Sequence, residues 1–313
     1  QQDDTFPTVL GNLSLAYFNK LNRQDEAVTL LEKAFALDMT DARILMECDQ
    51  LYKRLNRPHA DRLAILDKVK ETAFSRDDLY LEYVTLLNQS GRYEEAIRMI
   101  DARRFHPWEG GEGKIPAQYQ LARVELVKAC LKAGENEKAL ALIEECFVYP
   151  HNLGEGKLYG AQENDFNYYK ACALQALGRE AEAHDLFLAA SVGNSQPAAA
   201  MYYNDQKPDK IFYQGLALRK LGREEEARSR FNRLIDFGEK HLFDTFKMDY
   251  FADLQIWEDD MDKKNRIHCN YLMGLGHLGL GNPEKAETYF SIAAEMDNNH
   301  QGVQIHRQMI GTV

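Results

Sequence analysis

The chain has 313 residues, and 45% of them are apolar, enough for a buried core and too many for a disordered segment. Lys and Arg total 38 against 49 Asp and Glu, a formal net charge of -11. That balance disfavours nucleic acid, whose affinity depends on cations neutralising phosphates, and it disfavours anionic membrane surfaces.

The chain starts Gln-Gln-Asp-Asp with neither Met nor a signal-like stretch, which reads as an excised fragment or a processed product. No apolar run reaches membrane-span length. The cysteines, Cys48, Cys130, Cys146, Cys172 and Cys269, are odd in number and scattered, with no C-x-x-C pair. Neither a disulfide framework nor a zinc site is indicated, and a reduced, cytoplasmic setting is expected. The sequons at Asn12 and Asn88 fall inside predicted helices and read as chance matches.

Along the chain one pattern returns: Gly or Asn, then acidic residues, then Ala. It opens at Asn22 with anchor Ala27 and is degraded at Asn56, where Asp61 stands in place of Ala. It recurs with anchors Ala96, Ala139, Ala183, Ala227 and Ala286. The Gly or Asn suits a left-handed helix end, and the acids suit the first turn of the next helix. A large apolar residue follows the anchor by four positions and usually a small one by seven, as in Ala183, Phe187 and Ala190. That spacing marks one buried helix face. The preceding helices carry small-then-large pairs, Ala171 with Leu174, Gly215 with Leu218 and Gly274 with His277. About seven helix hairpins result.

These residues resemble the tetratricopeptide (TPR) consensus across nearly the whole chain. The resemblance implies an all-α fold, a TPR-like α-α superhelix built as a right-handed solenoid with inserted loops. Residues 1–75 read as two plain repeats, 76–235 as extended repeats with Gly-rich insertions, and 236–313 as a long acidic insertion with the C-terminal repeat. The anchors are spaced by 34, 35, 43, 44, 44 and 59 residues, so the later repeats carry insertions, which in solenoids often form the binding side.

The first insertion, 104–114, and the second, 149–160, both contain Gly-Glu-Gly-Lys, at 111–114 and 154–157. Their offset of 43 equals that of their anchors, so the loops belong at equivalent places on neighbouring repeats. One reading is structural, with Glu and Lys clasping helix ends while Pro107, Trp108 and Pro150 fill a gap. The other is a polar ligand surface with Trp108 as a stacking platform, ringed by His106, Glu109, Glu112, Lys114, His151, Glu155 and Lys157. The lysines are followed by Ile115 and Leu158, so neither copy is a phosphate-binding P-loop.

The third insertion adds Tyr202, Tyr203 and Asp205, which either extend that surface or pack the following helix. The fourth, about 237–265, gathers His241, Asp244, Asp249, Tyr250, Asp253, Trp257, Glu258, Asp259 and Asp260, with His268 just after. It reads as a solvated acidic helix, with a cation or acid–base site as the alternative. It lacks H-E-x-x-H and calcium-loop spacing. No catalytic residue, metal or cofactor is assigned.

Three phrases go beyond generic TPR: His-Pro-Trp-Glu-Gly-Gly-Glu-Gly-Lys (106–114), Asn-Leu-Gly-Glu-Gly-Lys (152–157) and Tyr-Tyr-Asn-Asp-Gln (202–206). They resemble the C-terminal repeat region of large uncharacterised bacterial proteins that carry an upstream mutarotase-like β-rich domain. That likeness implies a missing N-terminal domain and a carbohydrate-related setting. The leading expectation is an interaction scaffold for a protein, a peptide or the chain's own upstream domain. The alternative is an accessory region of a carbohydrate-active enzyme, its Gly-Glu-Gly-Lys loops completing a sugar site.

Overall fold

A computed structural model describes residues 6–199, 205–245, 257 and 259–312. Among them every regular element is helical, with no strand. The helices pair into hairpins: α1 (Pro7–Asn19) with α2 (Gln24–Leu37), α3 (Ala42–Arg54) with α4 (His59–Lys68), and, after the single turn α5 (Lys70–Ala73), α6 (Asp77–Gln89) with α7 (Tyr93–Ala102). Then come α8 (Lys114–Ala133) with α9 (Asn136–Glu145), α10 (Asn164–Ala176) with α11 (Glu180–Ser191), α12 (Pro208–Lys220) with α13 (Glu224–His241), and α14 (Met261–Gly279) with α15 (Pro283–Met296). A short α16 (Gln301–Arg307) ends the array.

Each hairpin turns where the recurring pattern places it. Asn22, Asn56, Gly91, Gly134, Gly178, Gly222 and Gly281 all have positive φ, from 51° to 76°. The next amide closes the turn by reaching back into the first helix, as Arg92 N–H does to Leu87 O at 2.9 Å. Arg23, Arg92, Arg179 and Arg223 then each pair with a glutamate three residues on, in the first turn of the second helix.

Packing follows the 0, 4, 7 spacing. Ala27, Ala96, Ala139, Ala183, Ala227 and Ala286 are buried, as are Leu31, Ile100, Ile143, Phe187, Phe231 and Phe290. Close approach is forced at Gly215, where a Cβ would lie 2.3 Å from the Phe231 ring, and at Gly274, where it would lie 2.4 Å from Phe290. The second repeat departs from the rule. Asp61 is exposed, and Arg62, Leu63 and Leu66 turn inward instead.

First and second helices differ in burial. Lys210 to Leu218 of α12 are all buried, whereas α13 buries one stripe through Ala227, Phe231 and Leu234. The first helices are therefore the inner layer and the second helices the outer one.

The array closes on itself. The amide of Asn56 donates to Met296 O at 3.0 Å, and Arg62 Nη1 donates to Asn299 Oδ1 at 2.7 Å. Gln89 Nε2 reaches Asn299 O, and Gln118 and Gln301 exchange side-chain hydrogen bonds. From the acidic insertion, Trp257 is fully buried in the core of the first hairpin, edge-on to Phe18 at 5.2 Å. Among the described residues no helix is long and apolar enough to cross a membrane.

Candidate functional site

The inner helices and the closing segment line a cavity of about 570 Å³ that is open to solvent. One repeat position recurs in its wall. Leu121 in α8, Asp165 in α10, Asp209 in α12 and His268 in α14 sit at the same distance before their hairpin anchors, and all four line the wall. From the closing segment Asp297, His300 and His306 join them.

At one end is a buried charge cluster. Lys210 Nζ contacts the Asp165 carboxylate and lies 3.8 Å from that of Asp209. It also sits 4.9 Å above the Phe166 ring. Burial opposes charge on Lys210, but the carboxylates of Asp165 and Asp209 more than offset it and raise its pKa. Burial likewise opposes ionisation of Asp209, yet Lys210, His306 and Lys207 together hold its pKa down. Lys207, at the cavity wall, is exposed and makes no ion pair among the described residues.

Three histidines line the cavity, and the backbone fixes a tautomer for each. A carbonyl can only accept, so His306 Nδ1, 2.7 Å from Gly302 O, carries the hydrogen. Its Nε2 therefore carries a lone pair, and that atom is buried without a hydrogen-bond partner. In His268 the order is reversed: Nε2–H donates to Ala198 O at 2.8 Å and Nδ1 holds the lone pair. His300 Nδ1 accepts from Val303 N–H at 3.0 Å, which leaves Nε2–H as a donor. Burial lowers the pKa of all three, to about 4 for His268 and His306, so they are neutral at pH 7. Tyr213, in this wall, meets Tyr169, the equivalent position of the preceding repeat, hydroxyl to hydroxyl at 3.0 Å.

The residues singled out in the insertions lie elsewhere. The first two loops pack on each other. Asn152 donates to Ile100 O and Arg103 O at the end of α7 and accepts from Phe105 N–H at 2.8 Å. Glu155 accepts from Gly113 N–H at 2.7 Å, and burial raises its pKa. Trp108 is half-buried over Gly111, where a Cβ would lie 2.3 Å from the indole ring. Lys157 pairs with Glu163 and donates to Phe147 O. His106 is exposed, and its backbone N–H donates to Asp77 at 2.8 Å. Glu109, Glu112, Lys114 and His151 are exposed. Asp205 is half-buried ahead of α12, while Tyr202 and Tyr203 fall outside the described residues.

In the fourth insertion Asp259 pairs with Arg54 and Lys264, Asp260 caps α14 by accepting from Lys263 N–H, and His241 pairs with Asp244. Asp249, Tyr250, Asp253 and Glu258 lie outside the described residues. Among the described residues no three His, Cys, Asp or Glu side chains are grouped to hold a metal ion.

Sequence reasoning passed over Asp165, Lys207, Asp209, Lys210, His300 and His306. A signal was present for part of this set: Asp165 and Asp209 are 44 apart, as are Tyr169 and Tyr213, the spacing of the anchors Ala183 and Ala227.

No protein-family model matches the chain. Among solved structures it is similar to a tetratricopeptide repeat protein from Parabacteroides merdae, with 11% identity, 97% of this chain and 98% of that one covered, and a TM-score of 0.46. It is also similar to the TPR domain of P58(IPK), with 11% identity, coverage of 98% and 97%, and a TM-score of 0.34. A third is yeast Tom70, with 12% identity, coverage of 98% and 65%, and a TM-score of 0.33. The TPR-like fold assignment rests on the seven hairpins themselves.

Proposed function

We propose that this chain is a binding scaffold that receives a peptide, or a segment of a partner protein, against the inner face of its helix array. One observation carries the reading: the inner helices of four successive hairpins direct one equivalent position each into a shared cavity of about 570 Å³. Repeat arrays bind through such extended inner surfaces. Concave sites with apolar walls and a few convergent polar groups are where proteins hold ligands. Here Phe166, Tyr213 and Tyr271 supply apolar wall, while Asp209, Lys207 and the histidines supply the polar groups.

The thiols support binding over nucleophilic chemistry. Burial pushes Cys48, Cys146 and Cys269 up, to about 12 for Cys146 and about 11 for Cys269, so all three stay protonated.

The test is a displayed peptide library panned against the wild type and against Ala117→Trp. Ala117 is half-buried at the cavity wall, so the indole fills the cavity without entering the core. Peptides enriched on the wild type should lose at least tenfold in affinity on the variant, with an unchanged unfolding midpoint. Equal enrichment on both would remove the inner face from the reading.

A further inference from the structure

The segment that closes the array is attached differently at its two sides. On the side of the later hairpins it is held by apolar burial. Val303 is 1% exposed, and Met309 and Ile310 pack against the same core, which α8 to α15 share. On the side of the first three hairpins it is held by hydrogen bonds, and none of its apolar side chains enters the cores built there.

Many of those hydrogen bonds involve main chain. Asn56 Nδ2 donates to Met296 O at 3.0 Å, and Asn56 Oδ1 accepts from Asn298 N–H at 3.2 Å. Gln89 Nε2 donates to Asn299 O at 2.9 Å. The side chains of Asn298 and Asn299 answer in kind, their Nδ2 atoms donating to Asn56 O at 2.8 Å and to Lys53 O at 3.1 Å. The ends of α3 and α6 therefore grip a polypeptide by its backbone and by two successive asparagine amides. Asn56 is suited to this task. The five later hairpins turn on Gly, whereas Asn56 adopts the same positive φ, 55°, and adds an amide at the turn.

Parting this contact strands no buried charge. Arg62 loses Asn299 Oδ1 but keeps both oxygens of Asp49 and one of Glu82, and Glu82 keeps Lys53, all within α3, α4 and α6. The other bonds that break join neutral amides, and water replaces them at small net cost. A polar contact between two parts of one chain opens far more readily than an apolar one.

We propose that residues 296–301 are an autoinhibitory strap. In the free protein the strap occupies, in cis, a polypeptide-binding surface at the ends of α3 and α6, and a partner segment carrying adjacent asparagines displaces it in trans. The strap stays rooted in the later hairpins through Val303 as it lifts, and its lifting opens the inner face. This rests on the inner face being the recognition surface and adds what guards it.

The experiment titrates a fluorescein-labelled peptide of residues 293–304 with the full chain, read by anisotropy. The double variant Asn298→Ala with Asn299→Ala weakens the strap and leaves the surface intact, and a cooperative urea transition checks that it is folded. The peptide should bind the double variant at least tenfold more tightly than the wild type. Adding Asn56→Gly, which keeps the turn conformation of the later hairpins, should remove that gain. Hydrogen exchange gives a second reading on the unaltered chain: a peptide selected on the inner face should quicken exchange at residues 297–302, where a ligand laid over a fixed strap would slow it. Equal binding of the labelled peptide to wild type and double variant, or no binding to either, would overturn the strap. If library peptides still lose affinity on Ala117→Trp, the scaffold reading survives that result. If Ala117→Trp leaves peptide selection unchanged while the labelled peptide still prefers the double variant, the strap stands and the inner face falls.

Discussion

Arg62 Nη1 donates to Asn299 Oδ1 at 2.7 Å across 237 positions of sequence, while Nε and Nη2 of the same guanidinium hold both carboxylate oxygens of Asp49 at 2.9 and 2.6 Å. Arg62 and Asp49 are 1% and 2% exposed. Glu82, which also touches Arg62, is driven down to about 2: burial opposes its ionisation, but Lys53 and Arg62 together outweigh it. This cluster joins the second hairpin to the turn ahead of α16.

Arg62→Ala strands Asp49 as a buried, uncompensated charge, so the expected loss is about 3–5 kcal/mol in urea unfolding at pH 7. Asn299→Ala removes one hydrogen bond to a charged group and should cost about 1.5–3 kcal/mol. Because the two side chains touch, the double variant should fall short of the sum. A loss under about 1 kcal/mol for Arg62→Ala would mean that the ring closure contributes little to stability.

Acid should weaken the fold through its buried histidines. His268 and His306 have pKa values near 4 when folded and near 6.5 when unfolded, so the unfolded chain binds more protons between those limits. Stability therefore falls as pH drops from about 6.5 toward 4, by up to about 3 kcal/mol per histidine. Glu82 acts lower, its contribution being present above about 4.5 and lost as pH falls toward 2. Urea unfolding at pH 7.5, 5.5 and 4.5 reads the slope, and His306→Phe should flatten it. An unchanged slope in that variant would show His306 to be protonated in the native state.

The hairpins were legible because they are local. Ala183, Phe187 and Ala190 announce a buried stripe within eight residues, and Gly178 announces the turn before it. The second repeat announced its departure at Asp61 but not what replaces the small-residue contact, since a buried ion pair through Arg62 leaves no periodic trace. The cavity was illegible for the opposite reason. Its wall is assembled from four hairpins distant in sequence, and His306 comes from a helix of seven residues with no repeat copy. Loop glycines and Trp108 drew attention by composition, yet composition does not distinguish a loop that meets solvent from one that meets another loop.

Two glycines of the sixth hairpin should fail for different reasons. At Gly215 an added methyl meets the Phe231 ring at 2.3 Å, so Gly215→Ala overpacks the hairpin and should cost about 1–3 kcal/mol. At Gly222 nothing lies within 4 Å, but φ is +74°, so Gly222→Ala costs about 1–2 kcal/mol through backbone strain alone. Phe231→Leu combined with Gly215→Ala should recover part of the first loss and none of the second. Asn22 and Asn56 hold the same conformation in earlier hairpins, so Gly222→Asn should be milder than Gly222→Ala. Thermal unfolding of the four variants decides both points.

The paired loops give a last contrast, between clasp and recognition surface. Asn152 satisfies two carbonyls at the end of α7, so Asn152→Ala should cost about 1–3 kcal/mol. Trp108→Ala leaves Gly111 without the ring stacked on it and should free the same region. Hydrogen exchange should then quicken in residues 104–113 and 150–156, with the inner helices α12 and α14 unchanged. Ligand affinity at the cavity should be untouched in both variants, because neither loop contributes to its wall. If Trp108→Ala instead weakens binding without faster exchange in the loops, the indole meets the ligand directly. His106, Glu109, Glu112 and Lys114 would then belong to a second recognition surface on the rim of the array.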